Sequence, residues 1–366
     1  MTSLSRTPLA QRLPEFPWDS LADVSASAHA HPDGIVDLSI GTPVDDVAPG
    51  IQLALVEAAA APGYPPTTGT PALHEAIAAW LNRRYGTHVT AEEAMAVVGT
   101  KEAIALLPTL LGITGAPVVI PEIAYPTYEV AALLAGNTPV RGEALVDAAP
   151  LIFLNSPSNP TGRVLGVEEL RAVVADARER GAIVASDECY IGLGWDDGKQ
   201  PVSILDPRVC EGDHTGLLAI HSLSKSSNMA SYRAGMIAGD AALIAELTQA
   251  RKHLGLMVPG PIQAAMLHAL ADDEQEELQK LRYARRRAVL LPALLRAGFT
   301  VEHSEAGLYL WASRGGENGR DTVAWLAERG ILVAPGEFYG PAAVNHVRVS
   351  LTASDERIDA AAARLA

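Results

Sequence analysis

The chain has 366 residues, of which 48% are hydrophobic and 19% are charged, a globular composition long enough for about two domains. Its net charge of −15 argues against nucleic acid or an anionic membrane surface as a partner. Two cysteines, Cys189 and Cys210, cannot build a disulfide framework, and we predict no metal site. The N-terminus lacks the continuous apolar region of a secretory signal, so we predict a cytoplasmic protein.

The first elements in chain order are an arm and then an alternation of helices and strands. Residues 1–45 are rich in Pro and Ala with weak periodicity, which predicts an N-terminal arm. Pro71 follows Thr70 at a favourable first helical position, and Gly86 ends that helix. Further predicted elements are a helix from about Lys101, strand 117–120, another helix, strand 151–154, helix 167–180, and strands 182–186, 217–220 and 235–239. Short apolar strands between amphipathic helices predict a mostly parallel sheet sandwiched by helices, and we assign residues 46–250 to this large domain.

The pattern changes after about residue 240 to long charged helices and isolated strands. The predicted elements are helix 274–296, strand 308–311, a helix that ends at Gly330, and strands 331–334 and 346–351. This order predicts a smaller α+β domain over residues 251–366, which we expect part of the arm to complete.

Polar clusters follow four of the predicted strands. They are Gly99-Thr100-Lys101-Glu102, Asn155 to Gly162, Ser186 to Tyr190, and Ser222 to Lys225. In open α/β sheets, ligands bind outside the carboxyl ends of the strands. We therefore expect the four clusters to lie along one edge of the sheet.

The cluster with Lys225 suggests a specific chemistry. A lysine beside Ser222 and Ser224 suits an amine that condenses with the aldehyde of pyridoxal phosphate (PLP) while the hydroxyls hold the phosphate. Freed from the cofactor, the same amine could act as a base and an acid in turn. Arg233 could add a planar guanidinium to the phosphate site. Taken alone, the segment is equally compatible with a strand followed by a solvated turn.

Two further clusters would serve the PLP ring. A carboxylate must keep the ring nitrogen protonated, and Asp187 at a buried strand end is the candidate. Tyr190 and Asn159 could donate hydrogen bonds to the ring oxygen. The alternatives are a helix cap or surface ion pair for Asp187 and a simple turn for the segment from Asn159 to Gly162.

The phosphate and the ring face need their own groups. The start of a helix attracts a phosphate, and Thr100, Lys101 and Glu102 begin one. Tyr125 could stack on the ring, although an aromatic residue that fills a loop pocket would have the same sequence.

Together these motifs resemble the class I/II (fold type I) aminotransferases over about residue 35 to the C-terminus. The resemblance rests on Asn159-Pro-x-Gly, Asp187-x-x-Tyr190, Ser222-x-Ser-Lys225 and Arg233, in this order. It implies PLP as cofactor, amino-acid and 2-oxo-acid substrates, and a homodimer with shared active sites. It also implies that Gly41 forms a substrate-side turn, that Tyr64 reaches the phosphate of the neighbouring subunit, and that Asn159 and Arg348 contact the substrate, Arg348 through its α-carboxylate.

A narrower resemblance concerns the substrate. The pattern Ser-Lys-x-Ser-Asn-x-x-x-Tyr-Arg around Lys225 resembles N-succinyldiaminopimelate aminotransferases, EC 2.6.1.17, of lysine biosynthesis. Ser227 and Ser231 depart from the wider family, which usually has an aromatic residue and a glycine there. The residues that would bind the distal succinyl group are not predicted.

Other functions stay open at this point. The cofactor site is equally compatible with transamination of aspartate, aromatic or kynurenine-type substrates, or with a PLP β-lyase. A PLP-binding regulatory domain would need a DNA-binding module, for which there is no room before residue 35 and no basic patch. A nicotinamide enzyme is disfavoured because no G-x-G-x-x-G follows a strand.

Overall fold

A computed structural model of the protein describes residues 7–142 and 148–366. The strands are β1 Val36–Asp37, β2 Ala94–Val98, β3 Pro117–Ile120, β4 Thr138–Arg141, β5 Leu151–Asn155, β6 Ile183–Asp187, β7 Leu217–Ser222, β8 Ala234–Gly239, β9 Phe299–Glu302, β10 Tyr309–Arg314, β11 Ile331–Leu332, β12 Ala334–Pro335 and β13 His346–Ser350. The α-helices are α1 Ala22–His29, α2 Pro49–Ala58, α3 Pro71–Tyr85, α4 Thr100–Leu110, α5 Thr127–Leu134, α6 Val167–Arg180, α7 Pro207–Cys210, α8 Leu223–Ser226, α9 Ala241–Leu254, α10 Gly260–Ala271, α11 Asp273–Arg296, α12 Gly319–Ala327 and α13 Asp355–Arg364. Short 3-10 helices cover Leu9–Arg12, Pro17–Leu21, Ala91–Glu93, Ala230–Tyr232, Gly336–Tyr339 and Pro341–Ala343. No helix in the described ranges is both long and apolar enough to cross a membrane.

The large sheet has the strand order β2-β8-β7-β6-β5-β3-β4, and only β8 runs against its neighbours. Successive residues of one strand point to opposite faces, so Ile152 and Val184 pack with one core cluster while Phe153 and Ala185 pack with the other. Helices therefore cover both faces, as the apolar strands indicated. The predicted mostly parallel sheet with its helical layers is confirmed.

Local signals explain why the best-predicted helices begin and end where they do. The hydroxyl of Thr70 accepts a hydrogen bond from the amide of Leu73, and Gly86 closes α3 in the left-handed conformation at φ 67°. At the start of α6, the carboxylate of Glu169 accepts from the amide of Gly166 at 2.8 Å. The predictions for helix 167–180 and strand 117–120 are confirmed residue for residue.

Other elements differ from their predicted bounds because of their partners. Strand β7 continues beyond Ile220 to Ser222, since β8 still pairs with it there and Ser222 lies opposite Gly235. The predicted strand 331–334 was wrong as a single element. The chain changes partner within it, so β11 pairs with β1 while β12 pairs with β13.

The smaller sheet and the N-terminal segment lie together. Strands β12, β13, β10 and β9 form an antiparallel sheet in that order. Within the predicted arm, α1 packs against α12 and β1 pairs in parallel with β11, so part of the arm extends the C-terminal unit. The first six residues of the arm lie outside the described residues. The domain boundaries at residues 45 and 250 stay predictions.

Candidate active site

The carboxyl ends of β2, β5, β6 and β7 open into one cavity of about 1450 Å³. Of the predicted site residues, its wall includes Gly41, Thr100, Lys101, Tyr125, Asn159, Asp187, Tyr190, Ser222, Ser224, Lys225, Arg233 and Arg348. Most of these positions meet because strands of the large sheet end or begin at this edge, whereas Gly41 comes from the N-terminal segment and Arg348 from β13 of the smaller sheet. The prediction that the four polar clusters share one edge is therefore confirmed.

Two predicted site residues do not line this cavity. The carboxylate of Glu102 forms an ion pair with the guanidinium of Arg251 at 3.0 Å. Tyr64 is 94% exposed on the surface. An exposed tyrosine is compatible with contact to a second subunit, and the cofactor-binding roles of both residues stay predictions.

Lys225 lies in the short helix α8 immediately after β7. The hydroxyl of Ser222 accepts a hydrogen bond from the amide of Ser224 at 3.1 Å and so holds the turn that carries the lysine. Burial lowers the pKa of the Lys225 amine. The neutral form of an amine is its nucleophilic form, so this environment favours attack on an aldehyde.

Asp187 ends strand β6 and faces the cavity with its carboxylate largely buried. Burial raises the pKa of Asp187, while hydrogen bonds from Cys189 and Tyr128 oppose that rise. The hydroxyl of Tyr128 donates to Oδ2 of Asp187 at 2.7 Å, and the amide of Cys189 donates to Oδ1 at 3.1 Å. Sequence reasoning missed both partners, because neither a tyrosine nor a backbone amide is distinctive in the sequence.

Another group of wall residues can accommodate a phosphate. Helix α4 begins at Thr100, Ser222 and Ser224 lie on the wall, and the guanidinium of Arg233 packs directly against Gly99. Gly99 has φ 75°, and a Cβ atom there would overlap that guanidinium. Hydroxyls, helix amides and a guanidinium are the groups that a phosphate dianion requires. With an amine and a carboxylate in the same cavity, the donor set fits the predicted PLP.

This close approach leads to a testable expectation for Gly99→Ala. The added methyl group should displace Arg233 and weaken PLP binding to the apoprotein by about 10-fold, the loss of roughly one hydrogen bond to a charged group. Gly112→Ala is the matched control, because Gly112 also has positive φ but open space around a Cβ. Fluorescence titration with PLP measures both. An equal affinity for the two variants would contradict the role of the Gly99–Arg233 contact.

Arg348 lies on β13 and is nearly fully buried at the cavity wall. Its Nη1 donates to Oδ1 of Asn159 at 3.0 Å and its Nη2 to the carbonyl of Ser39 at 2.7 Å. Its guanidinium lies 4.0 Å from the ring centroid of Tyr309. A buried guanidinium with two fixed contacts is well placed to orient a carboxylate.

Tyrosine 309 is a further wall residue that sequence reasoning missed. The hydroxyls of Tyr190 and Tyr309 are 3.1 Å apart, and a Cβ at Gly41 would overlap the Tyr309 hydroxyl. The glycine at position 41 therefore lets the N-terminal segment approach the wall. In the sequence, Tyr309 is only an aromatic residue within predicted strand 308–311, and nothing there indicates that it lines the site.

The N-terminal arm also contributes to the wall. Phe16 and Trp18 line the cavity, and the indole of Trp18 donates to the carbonyl of Ser39. The amine of Lys101 points towards this segment, 5.5 Å from the ring centroid of Phe16. The arm was predicted, but nothing in its composition indicated that it would cover the site.

Comparison with known proteins gives a consistent result. The family model described as aminotransferase class I and II matches residues 33–365. Probable aminotransferase Rv1178 of Mycobacterium tuberculosis is 62% identical over 99% of this chain and 87% of its own length. The 4-dedimethylamino-4-oxo-anhydrotetracycline transaminase OxyQ of Streptomyces rimosus is 56% identical over 97% of this chain and 99% of its own. An LL-diaminopimelate aminotransferase of Dehalococcoides mccartyi is 30% identical over 97% of both chains.

Solved structures of aminotransferases have the same fold as this chain. An aminotransferase from Neisseria meningitidis superimposes with a TM-score of 0.91 at 28% identity, covering 98% of this chain and 99% of that one. A Thermus thermophilus aspartate aminotransferase double mutant gives a TM-score of 0.88 at 25% identity, over 100% and 99% of the two chains.

Proposed function

This chain belongs to the class I and II aminotransferases, and within that family we propose that its substrates are N-succinyl-LL-2,6-diaminopimelate and 2-oxoglutarate. The chain is an aminotransferase with the fold type I architecture, and its family implies PLP as cofactor and small amino and oxo acids as substrates. The proposed activity corresponds to EC 2.6.1.17 in lysine and diaminopimelate biosynthesis. The relatives that match nearly the full chain are aminotransferases, so the regulatory-domain and nicotinamide-enzyme hypotheses are not kept.

The proposed roles at the reacting end follow from the cavity geometry. When bound, PLP withdraws electrons from the substrate Cα and so makes its proton removable. Lys225 moves that proton between the substrate Cα and C4′ of the cofactor, since its buried amine is the base within the cavity. Asp187 keeps the proton on the ring nitrogen. Arg348 holds the α-carboxylate and thereby orients the Cα–H bond towards Lys225.

The remaining wall residues would hold the cofactor. Tyr190 and Asn159 donate to the ring oxygen, and Tyr125 stacks on the ring. The phosphate contacts are assigned to Thr100, Ser222, Ser224 and Arg233.

One observation carries the proposed substrate: the cavity wall has a further cation, Lys101, besides Lys225, Arg233 and Arg348. Lys101 lies on its wall and, within residues 7–142 and 148–366, has no carboxylate partner. Two further cations of the cavity wall already have partners: Arg141 pairs with Glu129 and Arg320 with Glu337, each at 2.6 Å. An unpaired amine beside a large cavity suits a long substrate with a second, distal carboxylate. The likeness to LL-diaminopimelate aminotransferase supports the same substrate class.

A second candidate substrate class has support of its own. The relative that acts on 4-dedimethylamino-4-oxo-anhydrotetracycline is 56% identical over nearly the full length, and its substrate name describes a multi-ring ketone. The outer cavity wall has aromatic side chains, including Phe16, Trp18 and Phe338, against which rings could pack. Amination of a bulky cyclic ketone is therefore the alternative to be tested beside the succinylated substrate.

The experiment compares amino donors with the purified holoenzyme. N-Succinyl-LL-diaminopimelate with 2-oxoglutarate is assayed against LL-diaminopimelate, aspartate, phenylalanine, kynurenine and a cysteine conjugate, with glutamate and the oxo-acid product identified by mass spectrometry. A multi-ring ketone is offered in parallel as amino acceptor, with glutamate as the donor. We expect kcat/KM for the succinylated donor to exceed the others by about 100-fold, the value of two hydrogen bonds to charged groups. A preference for another donor, or formation of pyruvate and a free thiol from a cysteine conjugate, would contradict the proposal.

Lys101→Met tests the distal carboxylate directly. We expect kcat/KM for the succinylated donor to fall by about 10-fold, because one charge-assisted contact is lost, while alanine as donor changes less than about 3-fold. Lys252→Met, an exposed lysine on α9, is the control. The affinity for PLP is measured in parallel, since a loss of cofactor binding would return Lys101 to its predicted place at the phosphate.

The assembly is part of the same proposal. We propose a homodimer in which Tyr64, which is exposed in a single chain, completes the phosphate site of the second copy. Val44, Leu53 and Val56, which precede Tyr64 in the chain, are exposed as well, which supports a surface covered by a second copy. The cytoplasmic location stays a prediction.

A further inference from the structure

The carboxylate of Asp187 receives hydrogen bonds from two different elements. The hydroxyl of Tyr128, in α5, donates to Oδ2 at 2.7 Å, and the amide of Cys189 donates to Oδ1 at 3.1 Å. The side-chain amide of Asn155 also holds the carbonyl of Asp187 at 2.9 Å, which fixes the backbone. Each carboxylate oxygen therefore has a protein donor, Tyr128 on Oδ2 and the Cys189 amide on Oδ1, and the Cys189 thiol is a third favourable neighbour.

Packing fixes the position of the Tyr128 hydroxyl. The Tyr128 ring is fully buried and stacks on Phe153 with centroids 5.2 Å apart and planes at 19°. The ring of Tyr125 lies nearly perpendicular to it, with centroids 5.8 Å apart. Burial also raises the pKa of Tyr128 well above its usual value, so the phenol keeps its proton and stays a donor.

The charge of Asp187 depends on these donors rather than on a salt bridge. In the part of the chain that the structure describes, no arginine or lysine forms an ion pair with Asp187. The other titratable groups that interact with it are Cys189, Tyr125 and Glu188, and none of them is a cation. Burial disfavours the ionised carboxyl, and the hydrogen bonds from the Cys189 thiol, the Tyr128 hydroxyl and the Cys189 amide oppose this by favouring the charged form.

We propose that Tyr128 is a positioning residue that keeps Asp187 ionised and directs its carboxylate at the ring nitrogen of PLP. Tyr128 acts through Asp187 and touches neither the substrate nor the reacting atoms. It therefore supports the proton on the ring nitrogen, and its loss should affect the chemical step more than substrate binding. This inference rests on the cofactor implied by the family and on the proposed role of Asp187, not on the identity of the substrate.

The test uses Tyr128→Phe, which removes one oxygen atom and keeps the ring. We expect kcat with any accepted amino donor to fall about 10- to 30-fold, with KM changed less than about 3-fold, because one hydrogen bond to a charged group is lost. Without the donor, the pKa of Asp187 rises, so the acidic limb of the kcat–pH profile should move to higher pH. The affinity of the apoprotein for PLP, measured by fluorescence titration, should also fall by about 10-fold.

Reconstitution with N1-methylated PLP separates electrostatics from packing. The methylated ring nitrogen is permanently positive and needs no ionised partner to stay so. With this cofactor, the kcat values of the wild type and Tyr128→Phe should agree within about 3-fold. Tyr85→Phe, which removes a buried hydroxyl outside the cavity, is the matched control and should behave as the wild type.

Two results would overturn the inference. One is a Tyr128→Phe enzyme whose kcat, pH profile and PLP affinity all match the wild type. The other is a loss of kcat that persists unchanged with N1-methylated PLP, which would assign Tyr128 to packing alone. Both can be read with any active amino donor, so a wrong substrate proposal would not disturb them.

Discussion

Replacement of Lys225 with alanine is expected to lower kcat by about four orders of magnitude, because the other lysine that lines the described cavity, Lys101, is exposed and its amine lies beside Phe16. The variant should also lose the covalent attachment of PLP. Borohydride reduction of the wild type should leave PLP on the peptide that contains Lys225, as detected by mass spectrometry. The same treatment of Lys225→Ala should leave the protein unlabelled.

The control for this variant is Lys252→Ala, on the exposed side of α9, which should keep both the label and the activity. Folding is checked by thermal denaturation of the apoproteins. Removal of a buried amine also removes the cost of its desolvation, so we expect the variant to be at least as stable as the wild type. A Lys225→Ala protein that still transfers amino groups, or that is labelled at another lysine, would contradict the assignment.

Arg348→Lys is expected to produce the second largest effect. The substitution keeps the charge but removes the planar guanidinium, so one residue can no longer hold Asn159 and Ser39 and also bind both oxygens of a carboxylate. The loss of one or two charge-assisted hydrogen bonds costs about 2 to 4 kcal/mol, which corresponds to a decrease of about 30- to 1000-fold in kcat/KM for the amino-acid donor.

A donor without a carboxylate provides the control for Arg348. A simple primary amine that the wild type accepts slowly should react at the same rate with Arg348→Lys, because it has no group for the guanidinium to hold. The KM for the amino-acid donor should rise in the variant. An unchanged KM and kcat/KM would remove Arg348 from its proposed role.

Fold prediction was most accurate where short-range signals act. Pro71 and Gly86 mark the ends of α3 through their own backbone preferences, and consecutive apolar residues such as Ile152 and Phe153 already indicate a strand buried on both faces. It was least accurate where the bounds of a strand depend on its pairing partners. The predicted strand 331–334 divides between two sheets for this reason.

The same distinction holds for the site. The sequence by itself determined the order of the elements and the residue types that would meet at the sheet edge, including Lys225 and Asp187, because parallel strands must end together. Only the tertiary structure decided which neighbours each group has. Tyr128 lies 59 positions from Asp187 along the chain, and the side chains of neighbours Lys101 and Glu102 point to different surroundings. Such contacts depend on how whole layers pack and how each side chain is directed, and no local pattern of residues contains that information.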